Sequence, residues 1–130
     1  MVKVSILGAT GVIGKNVAFT LARADTVDEI VLFSRPQSVD KAKGETFDMY
    51  DALAAEDIDC RLTPSCNYED INDSDIAKVS KSEKAYERMI YFCETKKLEY
   101  LIIDTSNKTP EETVDLIMKR IEELKQDECR

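Results

Sequence analysis

The sequence predicts an α/β protein with a parallel sheet between two layers of helices. Three features predict this fold: short apolar runs typical of buried parallel strands, intervening segments with apolar residues at helical spacing, and a glycine-rich turn after the first apolar run. Parallel strands joined by helices form right-handed crossovers, which place helices on both faces of the sheet. The length of 130 residues predicts a single domain.

The first half of the chain reads as two strand–helix units followed by a third strand. Residues 3–7 form the first strand, and residues 12–24 form a helix with apolar side chains at every fourth position. Residues 29–33 are an almost continuous apolar run, typical of a strand covered on both faces. Ser38 is the predicted N-cap of a helix that extends to about residue 55, and residues 57–63 form a short third strand.

The second half predicts one further strand between two helices. Residues 64–81 are polar and show no period, so no strand is predicted there. A helix is predicted at 82–97 and a strand at 99–104. The last helix begins with an N-cap, a proline at the first helical position and the acidic residue of a capping box, at Thr109, Pro110 and Glu112. The simplest sheet therefore has four strands in the order 3-2-1-4, with the last strand beside the first.

The turn after the first strand has the residues of a dinucleotide-binding turn. Gly8 permits a tight turn off the strand, Gly11 lets a pyrophosphate approach the backbone, and Gly14 lets the helix pack closely on the strand. The free N–H groups at the start of the helix face the anion with the helix dipole behind them. A second strand that ends about 20 residues later completes a Rossmann-like pattern. The alternative is a plain strand–helix turn. The predicted turn residues of the site are Gly8, Thr10, Gly11, Val12, Ile13 and Gly14.

The end of the second strand determines which cofactor the site prefers. An NAD-specific site usually offers a carboxylate to the ribose 2′-hydroxyl, whereas this sequence has Ser34 and Arg35 at that place. The Arg35 guanidinium suits a 2′-phosphate and can lie flat against adenine, so NADP is predicted as the preferred cofactor and NAD as a weaker one. Ser38 is also included in the predicted site. The alternative is a solvated arginine at a strand end.

Composition argues against several other classes of function. The net charge of −8 disfavours a nucleic acid or an anionic membrane surface as partner. The sequence has no histidine, and its four cysteines form no CxxC pair, so we expect no metal site. It shows no signal peptide and no apolar run of membrane-spanning length, so reduced thiols and a cytoplasmic location are expected.

Two segments give residues 1–76 a resemblance to a known family. The run from Gly8 to Gly14 and the segment 44–54, with its centre at residues 48–53, resemble the amino-terminal half-domain of archaeal malate and lactate dehydrogenases. The resemblance implies a dinucleotide cofactor. It also implies a homodimer through the helix that carries Asp48 to Leu53, with an apolar patch at Phe47, Met49 and Tyr50. Without a histidine, the proton relay of that family cannot exist in this chain.

Residues from about 82 onward resemble a different family, the P-loop nucleotide kinases. The resemblance lies in residues 101–107 and in the capped start of the last helix, although no Walker A sequence is present. Together the two resemblances predict an engineered chimera, in which a dinucleotide-binding half (1–76) is fused to a helix–strand–helix segment (77–130). We therefore expect a small-molecule-binding module that is not an enzyme and has no catalytic residues. The alternatives are a structural protein without a ligand and a fragment of an NAD(P)-dependent dehydrogenase.

Overall fold

A computed structural model of the chain describes residues 2–8, 12–24, 26–80, 86–103 and 108–128. Strands and helices alternate along it. The strands are β1 (Lys3–Leu7), β2 (Glu29–Phe33), β3 (Arg61–Ser65), β4 (Ile76–Ser80) and β5 (Tyr100–Ile103). The helices are α1 (Val12–Arg23), α2 (Val39–Ala55), α3 (Tyr86–Thr95) and α4 (Pro110–Glu128), with short 3-10 helices at Pro36–Ser38 and Tyr68–Ile71.

The strands of the described residues form one parallel sheet in the order β3-β2-β1-β4-β5. The predicted α/β Rossmann-like class is therefore confirmed. The predicted four-strand order 3-2-1-4 is wrong, because residues 76–80 form β4 beside β1, and the strand at 100–103 lies one place further out. Lys78 interrupts the apolar run of β4, and for this reason the segment has a polar pattern in the sequence.

Each face of the sheet carries its own apolar core. On one face, α1, α2 and α4 pack against strand residues that include Val4, Ile6 and Ile30. On the other face, α3 and the second 3-10 helix pack against residues that include Leu7 and Val31. The apolar stripe predicted for α4 is confirmed, since Val114, Ile117 and Ile121 are buried in the same core as β1. The last helix is thus part of the main core of the fold.

The two predicted helix N-caps differ in what their side chains do. Thr109 Oγ1 accepts a hydrogen bond from the Glu112 N–H at 3.1 Å, which satisfies one of the free donors of α4. Ser38 occupies the N-cap position of α2, but its side chain makes no capping hydrogen bond. The reason is local, because the 3-10 helix Pro36–Ser38 leads directly into α2.

Strand β3 begins and ends later than the sequence predicts and lies at the edge of the sheet. The hydroxyl of Tyr50, on α2, accepts a hydrogen bond from the Leu62 N–H at 2.7 Å and donates one to the Leu62 carbonyl at 3.1 Å. These bonds satisfy backbone groups that a solvent-facing edge strand would otherwise leave open to pairing with another chain. Tyr50 therefore protects this edge of the sheet.

Polar contacts fasten the segment between β3 and β4 to the amino ends of the strands. The Lys3 ammonium is buried, donates to the Asp70 carbonyl at 2.9 Å and pairs with the Asp73 carboxylate. The Ser5 and Ser74 hydroxyls share a hydrogen bond beside it. The hydrogen bond from Lys3 lowers the pKa of the Asp73 carboxyl, because it favours the ionised form. These contacts explain how a polar stretch without periodicity holds a definite path.

Candidate functional site

The carboxyl ends of β1 and β2 meet where the glycine turn begins. Gly8 directly follows β1 and has a φ of 86°, in the region that residues with a side chain rarely adopt. Its N–H donates to the Phe33 carbonyl at 3.0 Å, so the start of the turn is attached to the end of β2. The predicted role of Gly8, a sharp exit from the strand, agrees with this geometry.

Helix α1 begins at the same edge of the sheet. It starts at Val12, continues through Ile13 and has Gly14 buried in its first turn. The predicted site residues Thr10 and Gly11 lie outside the described residues. The first N–H groups of a helix have no partners within the helix, and the macrodipole places a partial positive charge there. The described part of this edge therefore suits an anion.

Ser34, Arg35 and Ser38 follow β2 at this edge. The Ser34 N–H donates to the Ser65 carbonyl at 2.9 Å, and Ser34 is only 2% exposed. Its hydroxyl oxygen is buried and has no hydrogen-bond partner among the described residues. Arg35 is exposed, and Ser38 is half-buried at the end of the 3-10 helix. A buried hydroxyl is usually hydrogen-bonded in folded proteins, so the Ser34 hydroxyl is a candidate polar contact at this edge.

The parallel register brings the described site residues together. Leu7 pairs with Phe33, so Gly8 and Ser34 are the next residues along two neighbouring strands, and Arg35 stands one residue further out. Sequence analysis misses one buried charged residue in the sheet, Lys78, which is 1% exposed and pairs with Ile6 in the register of β4 and β1. The signal that could reveal it is the apolar run on either side of it, from Ile76 to Val79.

Other ionisable side chains lie away from the carboxyl ends of β1 and β2. Burial raises the pKa of the Cys93 thiol to about 11, so this cysteine is protonated at neutral pH and unreactive. A cavity of about 610 Å³ at the amino ends of the strands is lined in part by Asp28 and Asp75. Both carboxylates accept backbone hydrogen bonds, from the Val2 N–H at 2.6 Å and the Lys3 N–H at 2.8 Å, respectively. The described residues contain no cluster suited to a metal ion, and none of their helices is long and apolar enough to cross a membrane.

Comparisons with known proteins agree with the interpretation of the glycine turn as part of a dinucleotide-binding domain. Residues 2–85 match the family model of the lactate/malate dehydrogenase NAD binding domain. The malate dehydrogenase of Methanosphaera stadtmanae is 54% identical over 89 residues, which cover 68% of this chain and 28% of that protein. The malate dehydrogenase of Methanothermobacter marburgensis is 38% identical over 78 residues, which cover 60% of this chain and 24% of that protein. The chain therefore spans about a quarter of the length of these relatives.

Solved structures of similar proteins show the same fold. The malate dehydrogenase of Aeropyrum pernix superposes with a TM-score of 0.63 at 26% identity, covering 79% of this chain and 36% of that chain. The Plasmodium falciparum malate dehydrogenase, solved in complex with NADH, superposes with a TM-score of 0.67 at 15% identity. That match covers 82% of this chain and 36% of the other, and at this identity it speaks for the fold alone.

These matches correct one expectation and bear on two others. The expectation that the chain is not an enzyme is wrong, because the relatives that it matches are malate dehydrogenases, which are enzymes, although the chain corresponds to only part of each. The family match also continues to residue 85, beyond the expected junction after residue 76. The expected nicotinamide dinucleotide agrees with the family description, which is that of an NAD binding domain.

Proposed function

Because the chain belongs to the lactate/malate dehydrogenase family, we propose that it binds a nicotinamide dinucleotide at the carboxyl ends of β1 and β2. It would serve as the cofactor-binding part of a malate dehydrogenase-type oxidoreductase, the activity that its relatives are named for. The observation that carries this proposal is the Gly8 turn, which has a φ of 86° and leads from β1 toward the N-terminus of α1. Such a turn lets a pyrophosphate reach the first N–H groups of a helix.

The residues after β2 favour NADP(H) over NAD(H). A site specific for NAD usually places a carboxylate at this position to accept hydrogen bonds from the ribose 2′-hydroxyl. Here the buried Ser34 hydroxyl and the exposed Arg35 guanidinium stand at that position, and both can donate hydrogen bonds to a 2′-phosphate. Ser38 lies nearby at the start of α2 and adds a third donor. The −8 charge of the chain makes a local cation at this edge all the more important for a polyanionic ligand.

Titration of the purified protein with NADPH and NADH tests both parts of the proposal. We expect NADPH to bind about 10- to 100-fold more tightly, because a charge-assisted contact to phosphate contributes about 1.5–3 kcal/mol. In Arg35→Ala the two cofactors should bind with similar affinity, since the 2′-phosphate loses its main cation. Reduced-nicotinamide fluorescence reports the affinity, and the ligand-induced shift in melting temperature provides an independent measure.

Arg88→Ala is the matched control, because Arg88 is an exposed arginine on α3, which covers the other face of the sheet. It should keep the preference of the wild type. An Arg35→Ala variant that still prefers NADPH would contradict the role of Arg35. If neither cofactor binds the wild type at millimolar concentration, the proposed function itself fails, and the chain is a structural protein without this ligand.

We also propose a homodimer through α2, supported by its exposed aromatic side chains. Phe47 is 70% exposed and Tyr50 is 39% exposed, whereas Met49 is 5% exposed and belongs to the core, so it cannot join the expected patch. Light scattering should give twice the monomer mass, and Phe47→Ser should shift the protein to monomer because the patch loses its largest apolar group. Tyr91→Ser, at a 72% exposed tyrosine on α3, is the control. A monomer mass that does not change with concentration would contradict the dimer.

The origin of the C-terminal residues is a separate proposal. A fusion with a segment related to P-loop nucleotide kinases is supported by the sequence of residues 101–107 and by the capped start of α4 at Thr109. The junction after residue 76 stays a prediction, and the family match extends nine residues beyond it, to residue 85. A natural gene that encodes residues 80–110 without interruption would contradict the engineered fusion. We propose separately that the protein is cytoplasmic, a location that is supported by its cysteine usage alone.

A further inference from the structure

The sheet has two edges, and the one formed by β3 is protected against pairing with another strand. The Ser34 N–H donates to the Ser65 carbonyl, so the backbone groups that face away from β2 are those of Leu62 and Pro64. The Tyr50 hydroxyl binds both the N–H and the carbonyl of Leu62, and a proline has no N–H to offer. Most of the outward backbone groups of β3 are therefore satisfied or absent.

The other edge, formed by β5, has none of these protections among the described residues. The Ala77 N–H donates to the Glu99 carbonyl at 2.9 Å, so the backbone of Glu99 faces β4. Successive residues of a strand direct their backbone groups to opposite sides, so the N–H and carbonyl groups of Tyr100 and Ile102 face outward. They have no partner among the described residues, and β5 contains neither a proline nor a charged residue. Such an edge is a template for a further strand.

Exposed apolar side chains flank this open edge on both faces of the sheet. Ile102 is 43% exposed and lies on the same face as Tyr100, which packs against the core under α3. On the other face, Arg120 of α4 donates to the Glu99 carboxylate at 2.8 Å, which fixes this side of the helix beside β5. Leu116 lies one turn before Arg120 and is 40% exposed. The ion pair also neutralises the carboxylate next to β5.

We propose that β5 pairs antiparallel with β5 of a second copy of this chain, across a two-fold axis at Leu101. In this register Tyr100 of each copy lies opposite Ile102 of the other, and each such pair exchanges two hydrogen bonds, so every outward group of β5 gains a partner. Aromatic and β-branched side chains form favourable cross-strand pairs, and Leu101 faces its own copy on the α4 face. The net charge of −8 opposes contact between two copies, and this pairing brings together strands without charge.

This interface is separate from the one proposed for α2. The Tyr50 hydroxyl ties α2 to β3, at the opposite edge of the sheet from β5. A standard interface buries about 800 Å² on each partner, and a strand of four residues is only about 13 Å long. We therefore expect weak self-association through β5, with a Kd above about 10 μM.

Sedimentation equilibrium of the full chain tests the pairing, with Phe47→Ser as the parent so that the α2 patch does not contribute. The parent should pass from monomer to dimer as its concentration rises to about 1 mM. Adding Ile102→Pro removes an outward N–H and leaves the hydrogen bonds between β4 and β5 in place, so it should raise the Kd of the dimer about 10- to 100-fold. Ile102→Val is the matched control, because it keeps the N–H and a β-branched side chain, and it should associate like the parent.

Amide hydrogen exchange of the parent, measured by NMR, tests the register itself and does not depend on the proline variant being folded. The Tyr100 and Ile102 amides should exchange more slowly as the protein concentration rises, whereas the Leu101 and Ile103 amides, which face β4, should be protected throughout.

A parent that stays monomeric, or a folded Ile102→Pro variant that associates as tightly as the parent, overturns the proposal. Tyr100 and Ile102 amides whose exchange does not change with concentration overturn it as well. If they are slow even in the monomer, another segment of the same chain covers the edge. None of these outcomes depends on cofactor binding, so the proposed function is tested independently.

Discussion

Replacing Gly8 by alanine is expected to lower the free energy of unfolding by about 1–2 kcal/mol, the cost of a left-handed conformation for a residue with a Cβ. Gly8 has a φ of 86° and donates its N–H to the Phe33 carbonyl at 3.0 Å, so the backbone cannot relax to a negative φ without breaking this bond. Urea denaturation followed by circular dichroism measures the effect as a lower midpoint at an unchanged slope.

The same substitution should weaken both cofactors more than about 10-fold, because a shifted turn misplaces donors whose charge-assisted hydrogen bonds contribute about 1.5–3 kcal/mol each. This distinguishes Gly8 from Arg35, whose loss affects NADPH alone. A Gly8→Ala variant that is destabilised but binds NADH and NADPH like the wild type would show that the turn is structural and that the cofactor lies elsewhere.

Gly44→Ala is a control that makes the same glycine-to-alanine change but is expected to raise the free energy of unfolding rather than lower it. Gly44 lies on an exposed face of α2, and a Cβ added there would meet no atom within 4 Å apart from the adjacent residues and the nearby backbone of the helix itself. Glycine inside a helix is less favourable than alanine by about 0.5–1 kcal/mol, so Gly44→Ala should stabilise the protein by that amount and leave cofactor binding unchanged. Equal effects of the two substitutions would contradict the conformational explanation for Gly8.

The sequence patterns locate most elements because local signals and tertiary structure agree in them. The apolar run of β2, the glycine turn after β1 and the Thr109 cap each depend on residues close together in the chain. The patterns miss β4 because a lysine in the middle of a strand is read as polar, and only the placement of β4 between β1 and β5 reveals that this lysine is buried. The four-strand order is wrong for the same reason, since it places residues 99–104 beside β1.

The candidate site also combines features that local sequence patterns predict with features that only the tertiary structure reveals. The pattern of Gly8, Ser34 and Arg35 predicts their roles one by one, and the register of β1 with β2 brings them to one edge. Neither the Ser34 hydroxyl, which has no partner among the described residues, nor the burial of Lys78 has a local signature, because both depend on pairing between distant segments. Met49 was expected in an exposed patch with Phe47 and Tyr50, and only these two neighbours are exposed. Helical spacing turns Met49 into the core.

The largest expected effect on stability is that of Ile117→Ala in α4. Ile117 is fully buried in the core that also contains Val4, Ile6 and Leu21, so the substitution removes apolar contacts and leaves a cavity beside α1 and the sheet. Such replacements cost about 2–5 kcal/mol, depending on how far the surroundings collapse. Urea denaturation should show one cooperative transition with a much lower midpoint, and Leu116→Ala, at a 40% exposed neighbour, should change it far less.

This pair of variants also tests whether residues after 85 fold together with the dehydrogenase-like part. α4 contributes Val114, Ile117 and Ile121 to the same core as β1 and α1, so a defect in α4 should also destabilise these two elements, which flank the glycine turn in the sequence. Fluorescence of bound NADPH should therefore be lost in the same urea range as the helical signal in Ile117→Ala. Two separate transitions, with cofactor release independent of the loss of helix, would mean that α4 stabilises only itself and that the core does not extend across the two parts of the chain.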